Sequence, residues 1–463
     1  LDYVFGPGTG DDPRMRACSS TRRFVRSQDH LALAKAHSKG HELTAVEALD
    51  AFGFQKLLEA VDCGSAILPP SQDEPGGTLK RRRESLGLSV EDLKRPTGLS
   101  ERQILDCEDP ETRSPIKNIV RLAEILGLDE RVISFIPGAK GDDTLAVRLK
   151  DIRLTKHLSA SAVAALSEAS WVVKTEYRLR EALNLGRSKP ISFSPSHNYG
   201  DGVYPVWQQG YYLARQTRSL LGINETDPIC PIRKVCSQLG IPLVQTNLPA
   251  GIAGATVVSD GRRGIAINMS GRNSNVWVRR ATIAHELGHL LWDSDDKLNR
   301  VRVDSYDDLE RHAWQQDVVE ARANAFAIAF LAPLAAVKDV FLSYADRSRG
   351  LRAVMERFGI SFTAAKFHVG NALGIQLEQD KYLDVSYEPT TEWDAPELFS
   401  VFGFPIETTS DVRRGEFAGL VVSAKQAGLI SLDTAAEYLQ TTAEIFKAKE
   451  SSLADIFDVG DHL

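Results

Sequence analysis

Two histidines and a glutamate stand together in the stretch ATIAHELGHLLWDSDD, residues 281–296. On a helix, His285 and His289 lie on one face about one turn apart, so both imidazoles can bind one metal ion. Glu286, beside the first histidine, can reach a water molecule on that metal. Zinc held by three protein ligands and one water lowers the pKa of that water to about 7, and a carboxylate can pass its proton to a leaving amine. The pattern predicts a zinc site with Glu286 as catalytic base and acid, as in a metallopeptidase.

An ordinary helix that carries two histidines is the alternative interpretation. The surrounding segment is strongly apolar, and two buried histidines without polar partners would be costly there. Gly288, directly before His289, leaves room for a close approach to the helix. We therefore favour the metal site.

A third protein ligand is needed to complete such a site. A metzincin would have a glycine and a histidine where this chain has Trp292 and Asp295, so that variant is excluded. We expect the ligand on the following helix, at Glu320 in VVEARANAFA. His312 and Glu310 compete with it, but they lie outside the apolar-periodic part of that helix.

A strand-like stretch, RGIAINMS at 263–270, precedes the histidine helix. We expect it to be an edge strand that binds an extended peptide by strand addition, which would suit a protein substrate. A plain strand inside the sheet is the alternative.

Residues from about 207 to 375 resemble the ImmA/IrrE family of metallopeptidases. The resemblance rests on GIAINMS, RRATIAHELGHLLW, VEARANAFAIAFLAP and LRAVMERFGISFTAAKFHVGNALGI. It implies that His285, His289 and Glu320 are the zinc ligands and that Glu286 is the general base and acid. Known members of the family cleave helix-turn-helix repressors encoded nearby and so release stress or mobile-element genes.

Residues 78–130 resemble a helix-turn-helix domain of the Xre/Cro type, through LKRRRESLGLSVEDL, the turn TGLS and ERQILDCED. The resemblance implies that the third of these stretches faces the major groove of DNA. Lys94 and Pro96 depart from the family pattern, and the segment from Lys80 to Leu126 has 10 basic and 9 acidic residues. Phosphate contacts require a basic surface, which only the run from Lys80 to Arg83 supplies, and that run could equally be a solvated face.

A second group of helices, residues 145–186, repeats the same pattern weakly and is more basic, so we expect the stronger DNA contact there. The candidate DNA contacts in the two groups are Arg102, Gln103, Arg148, Lys150, Arg153, Lys174 and Arg178. A protein-interaction or dimerisation module with the same fold is the alternative.

The fold class that we predict is α+β and mostly helical, with helix-turn-helix units followed by a zincin-like metallopeptidase domain and a helical C-terminal region. We expect an N-terminal helical region at 1–70, an Xre-type helix-turn-helix at 74–135 and a degenerate second unit at 142–188. The zinc peptidase domain is expected at 205–375 and the C-terminal helical region at 376–463. No functional signal is evident in 1–63 or 376–463.

Composition limits the class of protein. The hydrophobic fraction of 43% and charged fraction of 25% are typical of a globular chain, and the formal net charge of −7 does not suggest a general nucleic-acid binder. Five scattered cysteines without CxxC spacing fit a reducing cytoplasm. No apolar run reaches the length of about 18 residues needed to span a bilayer, and no signal-peptide core is evident. We therefore expect a cytoplasmic protein that does not enter membranes.

Two functions follow as hypotheses. The first is a zinc-dependent endopeptidase coupled to its helix-turn-helix region, which cleaves a transcriptional repressor or regulatory protein in a stress, mobile-element or toxin-antitoxin setting. The second is a DNA-binding regulator or antitoxin whose peptidase domain is a scaffold or sensor. The partners expected are a protein substrate or cognate toxin, double-stranded DNA and a second copy of the chain.

Overall fold

The chain forms two compact units in this computed structural model. The N/C unit comprises Leu1–Arg187 with Ser400–Leu463, and the central unit comprises Ser188–Phe399. The structure describes residues 1–142, 145, 149, 158–185, 206–249, 251–259, 261–293, 298, 301–305, 318–377, 387–397 and 404–456. The segment predicted as a separate C-terminal region is therefore divided, since 387–397 belong to the central unit and 404–456 to the N/C unit.

Helices account for most of the described residues. In the first half of the chain they are α1 (Asp2–Phe5), α2 (Pro13–Cys18), α3 (Ala45–Asp62), α4 (Gly76–Ser85), α5 (Val90–Thr97), α6 (Glu101–Glu108), α7 (Ile116–Ile125), α8 (Ala160–Ala182) and α9 (Val206–Leu220). In the second half they are α10 (Ile232–Gln238), α11 (Val276–Trp292), α12 (Val318–Leu331), α13 (Leu334–Leu342), α14 (Arg347–Phe358), α15 (Phe362–Leu373), α16 (Thr391–Glu397), α17 (Glu416–Gln426), α18 (Leu432–Tyr438) and α19 (Ala443–Ile456). The mostly helical α+β prediction agrees with this content.

The strands within the described residues form two four-stranded sheets. They are β1 (Arg23–Arg26), β2 (His30–Leu33), β3 (His41–Thr44), β4 (Ala66–Ile67), β5 (Leu243–Thr246), β6 (Ile252–Ser259), β7 (Arg262–Asn268) and β8 (Val301–Ser305). The first sheet has the order β3-β1-β2-β4 and the second the order β5-β7-β6-β8.

The first sheet corrects the prediction that residues 1–70 are a helical region. Its paired strands are all antiparallel, and Phe24 and Leu31 on them are completely buried. Each strand has four residues or fewer, which is too short to show a periodic pattern in the sequence. Such a strand is stabilised by pairing with the other strands of the sheet. The same segment also contains the long helix α3, which begins with a capping box between Thr44 and Glu47.

The helices α4 to α7 lie within 74–135, the segment where the helix-turn-helix unit was expected. Ser89 and Asp92 form a capping box at the start of α5, and Ser100 forms one with Gln103 at the start of α6. Part of the basic run on α4 is internal: Arg82 is buried and donates to the carbonyl oxygens of Leu126 and Asp142. Its neighbour Arg83 pairs with Glu108 on α6 at 2.6 Å. Two of the four basic side chains in the run from Lys80 to Arg83 thus join α4 to other parts of the unit.

A buried cluster of charges connects the C-terminal helices to the rest of the N/C unit. The Arg413 guanidinium is completely buried, pairs with Glu124 at 2.8 Å and Glu168 at 2.7 Å, and lies over the Trp171 ring. Burial raises the pKa of the Glu124 carboxyl well above its usual value, although Arg413 opposes this. Two buried carboxylates thus depend on one arginine for compensation.

The second sheet belongs to the central unit. Strand β7 lies between β5, which is parallel to it, and β6, which is antiparallel, so the prediction that RGIAINMS is an edge strand is wrong. The described edges of this sheet are β5 and β8. Helix α11 packs on β6 and β7 and also against α12. The core that they share includes Trp277, Ile283, Leu287, Leu290, Phe326, Phe330, Val354 and Phe358.

Within the described part of the chain, no single helix is long and apolar enough to cross a membrane. The bent pair formed by α12 and α13 passes that test jointly, by length and composition only.

We predict that Arg413→Ala lowers the free energy of unfolding by about 3–5 kcal/mol, because it leaves Glu124 and Glu168 buried beside no counter-charge. Chemical denaturation followed by tryptophan fluorescence measures this. Arg102→Ala is the matched control: Arg102 is 91% exposed and makes a 3.9 Å contact with Asp106, so its loss should cost less than about 0.5 kcal/mol. Equal effects of the two substitutions would contradict a structural role for the buried cluster.

Candidate metal centre

Helix α11 supplies both histidines from the interior of the central unit. Asn275 caps its start by accepting hydrogen bonds from the backbone N–H groups of Trp277 and Val278. Because α11 lies between the sheet and α12, most of its residues are buried. His285 and His289 are 0% and 1% exposed, one turn apart on the face toward α12. The apolar sequence of α11 is therefore explained by the position of this helix in the core.

Glu320 completes a group of three buried ligand atoms. The Nε2 atoms of His285 and His289 are 3.0 Å apart. One Glu320 oxygen lies 3.3 Å from the His285 Nε2, and the other lies 3.5 Å from the His289 Nε2. Two ligands of a tetrahedral zinc ion, each about 2.0–2.1 Å from the metal, are separated by roughly 3.3 Å. The three observed separations bracket that value, and two imidazoles with one carboxylate are a usual zinc donor set, so these residues fit the ion.

Two glycines allow this convergence. A Cβ on Gly288 would stand 2.8 Å from Cδ1 of Phe326, so α11 and α12 touch where α11 has no side chain. The predicted close approach at Gly288 is confirmed. On α9, a Cβ at Gly210 would stand 2.5 Å from the carbonyl oxygen of Arg322, so α9 also comes close to the α12 backbone. Helix α12 is thereby fixed with Glu320 facing the histidines.

A second carboxylate orients His289. Its Nδ1 lies 2.6 Å from Oδ2 of Asp293, one turn farther along the chain, and Arg322 pairs with the other oxygen of Asp293. Because a carboxylate paired with an arginine can only accept, the Nδ1 atom carries the proton. The Nε2 lone pair then faces the other ligands. Asp293 and Arg322 are positioning residues that our reading of the sequence missed, although the i, i+4 spacing of Asp293 from His289 was visible in it.

Glu286 is completely buried and does not belong to the group of three ligand atoms. It lies against β6, where a Cβ on Gly254 would come within 2.9 Å of its Oε1 atom. The missing side chain at Gly254 therefore gives the carboxylate room between helix and sheet. A carboxylate beside the ligands, but not one of them, can take up and release protons.

His368, also in the central unit, is a structural histidine. Its Nε2 donates to the carbonyl oxygen of Ala332 at 2.6 Å, and its Nδ1 accepts from the Tyr211 hydroxyl at 3.1 Å. Burial lowers the pKa of His368 to about 4, so the ring is neutral at pH 7. Both ring nitrogens of His368 therefore have hydrogen-bond partners within the protein.

The other predicted site residues lie in the N/C unit or outside the described residues. Arg102 and Gln103 are exposed at the start of α6, where the Gln103 side chain accepts from the N–H of Ser100. Lys174 is half-buried on α8. The residues outside the described ranges are Arg148, Lys150 and Arg153, together with the competing third ligands Glu310 and His312.

Arg178 faces the interior of the N/C unit. Its guanidinium pairs with Asp129 and Glu130, both at 2.9 Å, and its side chain is 16% exposed. These two carboxylates neutralise the charge of Arg178. Contrary to our expectation, Arg178 therefore does not contribute to an exposed basic surface.

We predict that Asp293→Ala weakens zinc binding by roughly 10–100-fold, because His289 loses the acceptor that fixes its proton on Nδ1. Competition with a chromophoric chelator measures the dissociation constant. The control is Asp339→Ala, an exposed carboxylate on α13 of the same unit. An Asp293 variant that folds and binds zinc as tightly as the control would refute the orienting role.

Comparison with known proteins agrees with this geometry. Residues 236–369, less than a third of the chain, match the model of the family Peptidase_M78, described as the IrrE N-terminal-like domain. No match was found among curated proteins. The matched residues include α11 and α12, which carry the three ligand atoms and Glu286. They cover most of the segment 205–375, where the peptidase domain was expected. Residues 236–369 of the central unit are therefore similar to the Peptidase_M78 family.

Proposed function

We propose that this protein is a zinc-dependent endopeptidase that cleaves a transcriptional repressor or another regulatory protein. The observation that supports it most is the convergence of His285, His289 and Glu320 beside the buried Glu286. A scaffold would need neither the ligand spacing nor a carboxylate held next to it. The regulatory target is supported by the resemblance to the ImmA/IrrE family, whose known members cleave repressors.

Each residue of the metal centre would have a separate role in the reaction. His285, His289 and Glu320 would hold the ion, and zinc, when bound, supplies a Lewis acid that polarises water and the peptide carbonyl. Asp293 keeps the His289 Nε2 atom available by accepting from Nδ1. Glu286 takes the proton from the attacking water and delivers it to the departing amine nitrogen. Burial among α11, α12 and the sheet restricts bulk water around this transfer.

A DNA-binding regulator is the second candidate, with the peptidase domain as scaffold or sensor. The exposed Arg102 and Gln103 at the start of α6 favour it, because residues there would face DNA in a helix-turn-helix arrangement. In this reading, double-stranded DNA, a cognate toxin or a second copy of the chain would be the partner.

We predict that Glu286→Gln retains zinc and fold while cleavage falls about 10²–10⁴-fold, because only the proton carrier is lost. The measurement is mass spectrometry of new protein N-termini in cells that express wild type or variant. Glu392→Gln, an exposed carboxylate in the same unit, is the control and should behave as wild type. Identical sets of new N-termini with and without Glu286 would reject the endopeptidase, and an unchanged regulatory phenotype would then favour the scaffold.

We also predict that Arg102→Ala weakens binding to double-stranded DNA and makes it less dependent on salt, if α6 contacts DNA. Fluorescence anisotropy with a labelled duplex, repeated over a range of salt concentrations, measures both effects. Arg352→Ala, which removes an exposed arginine of the central unit, is the control. Equal affinities for the two variants would exclude Arg102 as a contact.

A further inference from the structure

A buried asparagine joins the second sheet to the helix that carries the histidines. Asn273 lies in the single 3-10 turn Gly271–Ser274, which precedes α11, and it is completely buried. Its Nδ2 atom donates to the carbonyl oxygen of Ala253 on β6 at 2.8 Å and to that of Asn268 at the end of β7 at 3.0 Å. Its Oδ1 atom accepts from the Thr282 hydroxyl on α11 at 3.0 Å. One side chain thus contacts two strands and the helix.

The direction of these hydrogen bonds fixes the orientation of the amide group. Because two carbonyl oxygens accept from Asn273, its N–H groups face the strands, and its oxygen accepts from Thr282. The Thr282 hydroxyl also lies 3.1 Å from the carbonyl oxygen of Val278 on its own helix. Arg279, on the same helix, donates to the backbone oxygen of Asn273 at 2.9 Å. The turn is therefore attached to α11 at two points and to the sheet at two points.

These hydrogen bonds lie next to the place where Glu286 meets the sheet. Ala253 directly precedes Gly254 on β6. A Cβ on Gly254 would come within 2.9 Å of the Glu286 Oε1 atom and 3.3 Å of the Thr282 Cγ2 atom. On α11, Thr282 stands four residues before Glu286 and thus on the same face of the helix, one turn away. The Asn273 side chain therefore spans the gap between α11 and β6 beside the carboxylate.

A narrow gap at this point restricts the conformations of the Glu286 side chain. Free rotation of a glutamate side chain lowers the population of any one conformation roughly tenfold to thirtyfold, so confinement makes a base more effective. Resting on the proposed function, we propose that Asn273 is a positioning residue for Glu286, because its hydrogen bonds hold α11 and β6 at the distance that confines the carboxylate. The metal ligands depend instead on the contact between α11 and α12.

Substitutions of Thr282 test this role without removing the contacts of Asn273 with the strands. Thr282→Val keeps a similar side-chain shape but removes the hydroxyl, whereas Thr282→Ser keeps the hydroxyl. In crystal structures of the full chain, we expect Glu286 to occupy more than one conformation in Thr282→Val. In wild type and Thr282→Ser we expect a single conformation against Gly254. Because α11 and α12 hold the ligands, the zinc affinity of both variants should equal that of wild type.

The same variants separate positioning from a general loss of stability. Mass spectrometry of cells with equal protein levels should show the Glu286-dependent N-termini reduced roughly tenfold to thirtyfold in Thr282→Val and restored in Thr282→Ser. Thr217→Val is the matched control: Thr217 is also completely buried in the central unit, and its hydroxyl donates to the Leu213 carbonyl oxygen on its own helix. We expect this control to behave as wild type in both measurements.

Three results would overturn the proposal. The first is a single, unchanged conformation of Glu286 in folded Thr282→Val, and the second is an equal effect of Thr282→Val and Thr217→Val. The third is a loss of zinc affinity in Thr282→Val, because that result indicates a general disturbance of α11. If Thr282→Val does not fold, Thr282→Ala replaces it with the same expected results, since the smaller side chain leaves room for water at the Asn273 oxygen.

The crystal structures require no cleavage, so they distinguish this proposal from the proposed function. If Glu286→Gln leaves the cellular N-termini unchanged while Glu286 loses its single conformation in Thr282→Val, the positioning role stands and the peptidase does not. If Glu286→Gln abolishes the N-termini and Glu286 keeps its conformation in Thr282→Val, the peptidase stands and the positioning role does not.

Discussion

The close contact between α11 and α12 is the constraint on which the metal centre depends. Gly288 allows the Phe326 ring to lie directly against α11, and Gly210 allows α9 to come close to the α12 backbone. On α12, Glu320 lies 3.3 Å from one histidine nitrogen and 3.5 Å from the other. The apolar side chains of both helices stabilise the contact by burial. The same packing that forms the core therefore positions the ligands.

Carboxylates near the centre differ in role because they lie on different elements. Glu320 on α12 faces both imidazoles, Asp293 at the end of α11 holds the far side of one ring, and Glu286 lies against β6. On β8, the Oδ2 atom of Asp304 lies 3.9 Å from the Nε2 atom of His285.

The N/C unit uses many of its charges for its own stability. Arg413 joins Glu124 and Glu168 in the interior, and Arg82 donates to the backbone carbonyl oxygens of Leu126 and Asp142. A count of basic residues along the chain therefore overstates the basic surface available to DNA. Among the described residues, the candidates for DNA contact that are exposed are Arg102 and Gln103 on α6.

The sequence by itself determined the features that arise from local spacing. The i, i+4 histidines and the helix that carries Glu320 could be read directly, because helical periodicity depends on neighbours in the chain. The apolar periodicity of that helix favoured Glu320 over its competitors, and the resemblance to a family implied the same ligand. These features agree with the structure where it describes them.

Only the tertiary structure decided the features that join distant segments. The strands of the first sheet are too short to signal themselves, and the internal position of β7 depends on which strands pair with it. The inward direction of Arg178 depends on Asp129 and Glu130, far from it in the chain. The same is true of Asp304, whose approach to His285 depends on its register with Gly254. Pairing and burial are properties of the folded chain, so no local pattern encodes them.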